Sequence, residues 1–328
     1  MQAETLTITY FGKVPVHGDF IRHKAAGSTV RVIDGWLQQG LQFARRRLVG
    51  AFDAAYDAAT LWSFYMAPRD ITQVLVGVLG PSRDRVGRAY PFLVAMEAEG
   101  ATFASDRRAP VPVTFPALFE HASEIVGEAM AGHLSRDQLS DRIEQPDLFA
   151  RDDAGAAAFE RYLQQTPVSS FWERLWGHPQ DSRKYLLFKN LLDLLQPLRR
   201  GIPANYPLIF RFPLGPDGRT LGFDVSFWLR LCRSLLREPG LQPSFFWTQP
   251  DPEHGVDPFL LVALRPPSPK IFAALLPADV DDETLCTLEK MGAQKAALAA
   301  LSIPAHYGQL LEDEQLSLWD FLNRLSGH

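Results

Sequence analysis

Cysteine is almost missing from this chain. The two present, Cys232 and Cys286, form no CxxC pair and no framework, which excludes a disulfide-stapled scaffold. Cys232, inside FWLRLCRSLL, reads as a small buried apolar group. Long apolar runs are lacking too: residues 259–264 and 296–301 fall far short of a membrane span. The opening MQAETLTITY has neither the basic nor the apolar segment of a secretory signal, so a cytoplasmic protein is expected. A basic stripe is absent as well, and a net charge of −5 argues against a nucleic-acid partner. Lysine is scarce, 7 against 26 arginines, an imbalance we attribute to a GC-rich bacterial gene rather than to an arginine-based mechanism. No GxxxxGK[ST] loop and no GxSxG elbow occur. Gly77, Gly80 and Gly87 lack GxGxxG spacing and sit between two strands. Neither a cofactor nor a small-molecule substrate is expected.

What remains is the composition of an ordinary globular protein: 328 residues, 46% hydrophobic and 22% charged, long enough for two domains. Residues 6–11 alternate as a strand, and 32–48 carry apolar residues at helical spacing, with Arg45, Arg46 and Arg47 in the last turn. LWSFYMAP, VLVGVLGP and PFLVAMEA follow at short intervals, an antiparallel meander. A helix from about Phe115 completes a β-α-β-β-β-α order. Residues 135–155 are polar and acidic and read as the boundary between an N-terminal domain, 1–134, and a C-terminal α/β domain, 156–328. The second half reads as a helix through Leu198 with Gly201 as its cap, a strand (YPLIFRFPL), a helix from Asp224 to Leu236, strands SFFWT and FLLVAL, then helices. The expected fold is α/β: two packed units, each a mostly antiparallel sheet flanked by helices. LWSFYMAP leading to VLVGVLGPS is echoed by SFFWTQPDP leading to FLLVALRPPS, a pattern that two similar units or chance would equally produce.

Two stretches carry the chemistry. In FGKVPVHGDF, with IRH following, His17, Asp19 and His23 are close in sequence, and imidazole with carboxylate suits a divalent metal or a general base. The competing reading is a surface turn in which Asp19 caps backbone N–H groups; no motif supplies a further ligand, so no metal site is assigned. In GPSRDRVGRAYP, Arg83, Arg85 and Arg88 surround Asp84. Arginine forks suit an anion, but a turn in which Asp84 accepts backbone N–H bonds and pairs with an arginine is preferred.

Together the two stretches resemble the signature of the TagF (ImpM) family of type VI secretion-associated proteins. The family pattern FGKxPxxGDF, a Trp-bearing helix, a strand entering an AP segment and GxLxPSxDRVGRxxP appears here as Phe11–Phe20, DGWLQQGL with Trp36, FYMAP ending at Pro68, and GVLGPSRDRVGRAYP ending at Pro91. The match covers about the first hundred residues. Further on, SFFWT and an aromatic near Phe272 are similar to a later family segment, but Arg-Pro-Pro-Ser stands where Gly-Leu-Pro is usual, and these 328 residues are not expected to include the phosphatase domain of the PP2C type that some relatives carry. The resemblance implies a non-catalytic, post-translational repressor of type VI secretion that binds the forkhead-associated scaffold protein of the system, with a peripheral link to its membrane subcomplex as a further expectation. It marks Phe11, Gly12, Lys13, Pro15, Gly18, Asp19, Phe20, Trp36, Pro68, Pro81, Ser82, Asp84, Arg85, Gly87, Arg88 and Pro91 as structural or partner-binding. Two other functions compete: a metal-assisted hydrolase built on His17, Asp19 and His23, and a stoichiometric structural piece of the secretion machine.

Overall fold

The computed structural model describes residues 6–68, 71–100, 110–145, 151–199, 208–236, 243–249, 257–264, 267–278, 285–289 and 293–326. Segments rich in β-branched and aromatic residues form the strands: Thr7–Gly12 (β1), Ile21–His23 (β2), Trp62–Met66 (β3), Gln73–Gly80 (β4), Phe92–Glu99 (β5), Ile209–Pro213 (β6), Ser244–Thr248 (β7), Phe259–Ala263 (β8) and Leu285–Thr287 (β9). Among the described residues they make one nine-stranded sheet, ordered β2-β1-β5-β4-β3-β7-β8-β6-β9. Every pairing is antiparallel except β6 with β9.

The mixed α/β class and the mostly antiparallel sheet agree with the sequence expectation. The two sets of strands, however, do not remain two sheets. They join through β3 and β7, where Phe64 opposes Phe246 and Tyr65 opposes Phe245. The Tyr65 and Phe245 rings stack 4.9 Å apart, a cross-strand pair of the kind that fixes register. The echoing segments become the hairpins β3–β4 and β7–β8, side by side at this seam. The β2 strand, three residues long, and a short helix before β3 are additions to the expected order.

Helices cover both faces. They are Ser28–Leu48 (α1), Phe52–Asp57 (α2), Val111–Thr114 (α3), Pro116–Met130 (α4), Arg136–Ile143 (α5), Asp153–Gln165 (α6), Val168–Trp176 (α7) and Arg183–Arg199 (α8), followed by Leu221–Leu236 (α9), Pro269–Leu275 (α10), Ala293–Ser302 (α11), Ala305–Glu312 (α12) and Leu318–Ser326 (α13). Because side chains alternate across a strand, β4 and β5 feed two cores. Val76, Val78, Val94 and Met96 pack with Leu118 and Ile125 of α4 and Val225 and Trp228 of α9. Leu75, Leu79 and Leu93 pack on the opposite face with Ile33 and Leu37 of α1 and Ile271 and Phe272 of α10. The helices that precede the two hairpins, α1 and α9, therefore lie on opposite faces, and the sequence echo does not extend to them.

The polar stretch 135–155 contains α5, which opens on a capping box between Ser135 and Gln138 and buries Leu139 and Ile143. Asp137 and Asp141 lie on the exposed side of that helix. Asp152 then caps α6 through the Ala154 N–H. The cap expected at Gly201 lies outside the described residues.

Candidate functional site

The two motif loops meet at one end of the sheet, where β1 and β4 end and β5 begins. Gly12 fixes the approach. Its φ is 137°, and a Cβ there would stand 2.1 Å from the Pro91 carbonyl oxygen and 2.7 Å from Phe92 Cα, so the backbone passes where only glycine fits. Lys13, next in the chain, is thereby buried and reaches across 71 residues to Asp84, Nζ to Oδ2 at 2.9 Å.

Asp84 is the hub. Its carboxylate accepts from Lys13, from Arg88 Nε at 2.7 Å, and from the backbone N–H groups of Val86 and Arg88 at 3.1 and 2.9 Å. The turn that aims those N–H groups closes by a bond from the Gly87 N–H to the Asp84 carbonyl, and Gly87 adopts φ +85°, a conformation costly for any residue with a Cβ. Burial alone would push the Asp84 carboxyl up. Lys13 and the Arg88 N–H and guanidinium outweigh it and hold the carboxyl well below the usual range.

Bonds to backbone carbonyls then sew the loops together. Arg85 N–H donates to the His17 carbonyl at 2.9 Å, and Arg88 Nη2 donates to the Gly18 carbonyl at 2.6 Å. Pro15 sits in the turn closed by the His17 N–H on the Val14 carbonyl. Phe11 and Phe20 stack at 5.5 Å, Tyr90 meets both edge-on, and the Lys13 ammonium lies 5.1 Å from the Phe20 ring centre. Ser82 exchanges backbone bonds with the Tyr56 hydroxyl, and burial raises that phenol above its ordinary value. Pro68, Pro81 and Pro91 are buried. Trp36 stands apart from the loops: it donates to the Ser268 carbonyl at 2.9 Å and stacks 5.2 Å from Phe246, tying α1 to the second half.

The alternative cluster does not assemble. His23 stacks on Tyr10 at 5.5 Å, with Nε2 3.4 Å from Glu144, while Asp19 is exposed and accepts the N–H of its own neighbour Phe20. Among the described residues no group of three or more His, Cys, Asp or Glu side chains is placed to hold a metal.

Residues 9–145, which span both loops and end beyond α5, match the family model of the TagF N-terminal domain, described as type VI secretion system-associated. The chain carries a TagF N-terminal domain. That domain links the protein to type VI secretion. Among solved structures, the crystal structure of PA0076 from Pseudomonas aeruginosa PAO1 is similar at 24% identity, over 42% of this chain and 62% of that one, with a TM-score of 0.37. This chain thus spans less than two thirds of that chain's length. No curated protein sequence matches it. No helix of the described residues is long and apolar enough to cross a membrane.

Two clefts flank the TagF domain. One, of about 530 Å³, runs between α1 and the β4–β5 loop and is lined by Gln38, Leu41, Gln42, Arg45, Arg46 and Tyr90. The other, of about 670 Å³, opens on the opposite side of the sheet among Phe119, Glu120, Asp152, Arg219, Phe223 and Trp247. Sequence reasoning named Arg83 but missed the partners through which it braces the loops, Asp53 and Asp57 of α2 at 2.7 and 2.8 Å, and it missed the bond that the Tyr90 hydroxyl donates to Asp34. It also missed a second buried centre outside the TagF domain. Asp224 of α9 accepts from Arg174 Nη2 at 2.7 Å, Tyr162 Oη at 2.8 Å and the Gly215 N–H at 3.2 Å.

Proposed function

We propose that the protein is a non-catalytic, cytoplasmic negative regulator of type VI secretion that acts by binding the forkhead-associated scaffold protein of the system. What supports the reading, besides the TagF domain, is how the motif residues are spent. The four bonds to Asp84 spend Lys13 and the Arg88 guanidinium on that carboxylate, and two further bonds tie loop to loop. Such a site is a braced tip, suited to presenting a fixed surface to a partner rather than to turning over a substrate.

Titration of the full chain against the forkhead-associated scaffold of the same organism tests this. A Kd of micromolar or tighter, about −8 kcal/mol, is the expected result. No binding at high protein concentration would remove the mechanism.

A further inference from the structure

The chain carries a net charge of −5, yet the face made by the end of α1 and the β4–β5 loop is cationic. Acidic groups there are matched internally: Asp53 and Asp57 by Arg83, and Asp84 by Lys13 and Arg88. Of the other carboxylates nearby, Asp34 accepts from Tyr90 and Gln38, and Asp19 from the Phe20 N–H, neutral donors that leave both charges in place. Three further arginines outnumber these two charges. Arg46 and Arg85 are exposed with no carboxylate partner among the described residues, and Arg45 lies over the Phe52 ring at 5.1 Å with its charge open to solvent. At the crest of the same loop Val86 is 68% exposed, held there by the turn through Gly87 and Asp84. A solvent-exposed valine on so braced a turn does not serve the core.

The cleft beside them, between α1 and the base of the β4–β5 loop, has a floor of Leu41, Ala89 and Tyr90 and a wall of Gln38, Gln42, Arg45 and Arg46; Val86 lies outside it, at the crest of that loop. Amides beside guanidiniums suit a peptide backbone with carboxylate side chains.

We infer that this cleft docks an acidic segment of a protein partner, with carboxylates on Arg45 and Arg46 and an apolar side chain against Val86. The choice of a protein as occupant rests on the proposed function; the charge and shape of the cleft do not.

The test uses two probes on the full chain, the forkhead-associated scaffold protein and a labelled short peptide of alternating glutamate and leucine, read by fluorescence anisotropy. Arg46→Glu and Val86→Asp alter exposed side chains, and Arg219→Glu on the opposite side of the sheet is the control. Where the scaffold binds, Arg46→Glu and Val86→Asp should each weaken it about tenfold, with the control unchanged. Scaffold binding that none of the three alters overturns the docking surface and leaves the proposed function standing. If the scaffold does not bind, the proposed function falls, and the peptide decides the cleft. Saturable, salt-sensitive peptide binding lost in Arg46→Glu supports it; no peptide binding overturns it. Binding of phosphatidylglycerol vesicles or single-stranded DNA through Arg46 in place of the peptide also overturns it.

Discussion

Asp84 and Asp224 are both buried and both meet an arginine at 2.7 Å, yet the two halves of the molecule treat them in opposite ways. Around Asp84, two cations and two backbone N–H groups overcome the cost of burial, and the carboxyl is held low. Around Asp224, burial prevails. It lifts the carboxyl above the ordinary aspartate range although Arg174, the Tyr162 hydroxyl and the Gly215 N–H all favour the charged form. The difference lies in depth and in the donor set: Asp84 sits just beneath an exposed loop whereas Asp224 lies deep, and Asp84 has a second cation and a turn built to aim N–H groups at the carboxylate. The TagF loops thus hold a buried charge at low cost, while the C-terminal centre holds one at a penalty.

Removing Asp84 should have the largest effect. Asp84→Ala leaves Lys13 buried without its anion and is expected to cost about 3–5 kcal/mol in urea unfolding. Asp224→Asn should cost less, about 1–2 kcal/mol, because the substitution also relieves the desolvation penalty and Arg174 retains partial contact with solvent, its side chain 22% exposed. Equal losses in the two variants would break the comparison.

A smaller perturbation converts one centre toward the other. Gly87→Ala meets no neighbouring atom but strains a residue at φ +85°, for about 1–2 kcal/mol. The same strain turns the Val86 and Arg88 N–H groups away from Asp84. Its carboxyl should then titrate closer to the ordinary range, which carbon-detected NMR of the side chain would follow. An unmoved Asp84 titration would mean that the cations alone hold it.

Much of the fold was legible because it rests on local pattern. The unbroken apolar run of β4, the single buried face of α1 and the Asp84 turn, whose bonds reach only two to four residues, can all be read along the chain. The bond from Lys13 to Asp84 spans 71 residues, and those from Arg174 and Tyr162 to Asp224 span 50 and 62; no periodicity announces such pairs. The β3–β7 seam was hidden for a related reason. Any two apolar strands can pair, and only the finished packing, in which Trp36 stacks on Phe246 and meets Phe272 edge-on, makes this pairing the one adopted. The family motif pointed to the loops because their residues are close to one another in sequence; it passed over α2, which braces them from outside the motif, and gave no sign that Asp34, inside the Trp36 segment, meets Tyr90.

The mildest test bears on pH. For Asp84, whose folded value lies below the unfolded one of about 3.9, the stabilisation is complete above that pH and is lost as pH falls through the folded value. For Asp224, whose folded value is raised, stabilisation is complete below about 3.9 and is lost as pH rises through the folded value. Tyr162→Phe deletes one of the three donors to Asp224 and should cost about 0.5–1.5 kcal/mol near neutrality. It should also push the Asp224 carboxyl higher. The variant would then recover part of its loss on mild acidification, where Asp224 protonates while Asp84 stays charged. A Tyr162→Phe deficit that does not change between neutral and mildly acidic unfolding curves would show that the hydroxyl contributes packing alone, and that the contrast between the two aspartates rests on their arginines and backbone N–H groups.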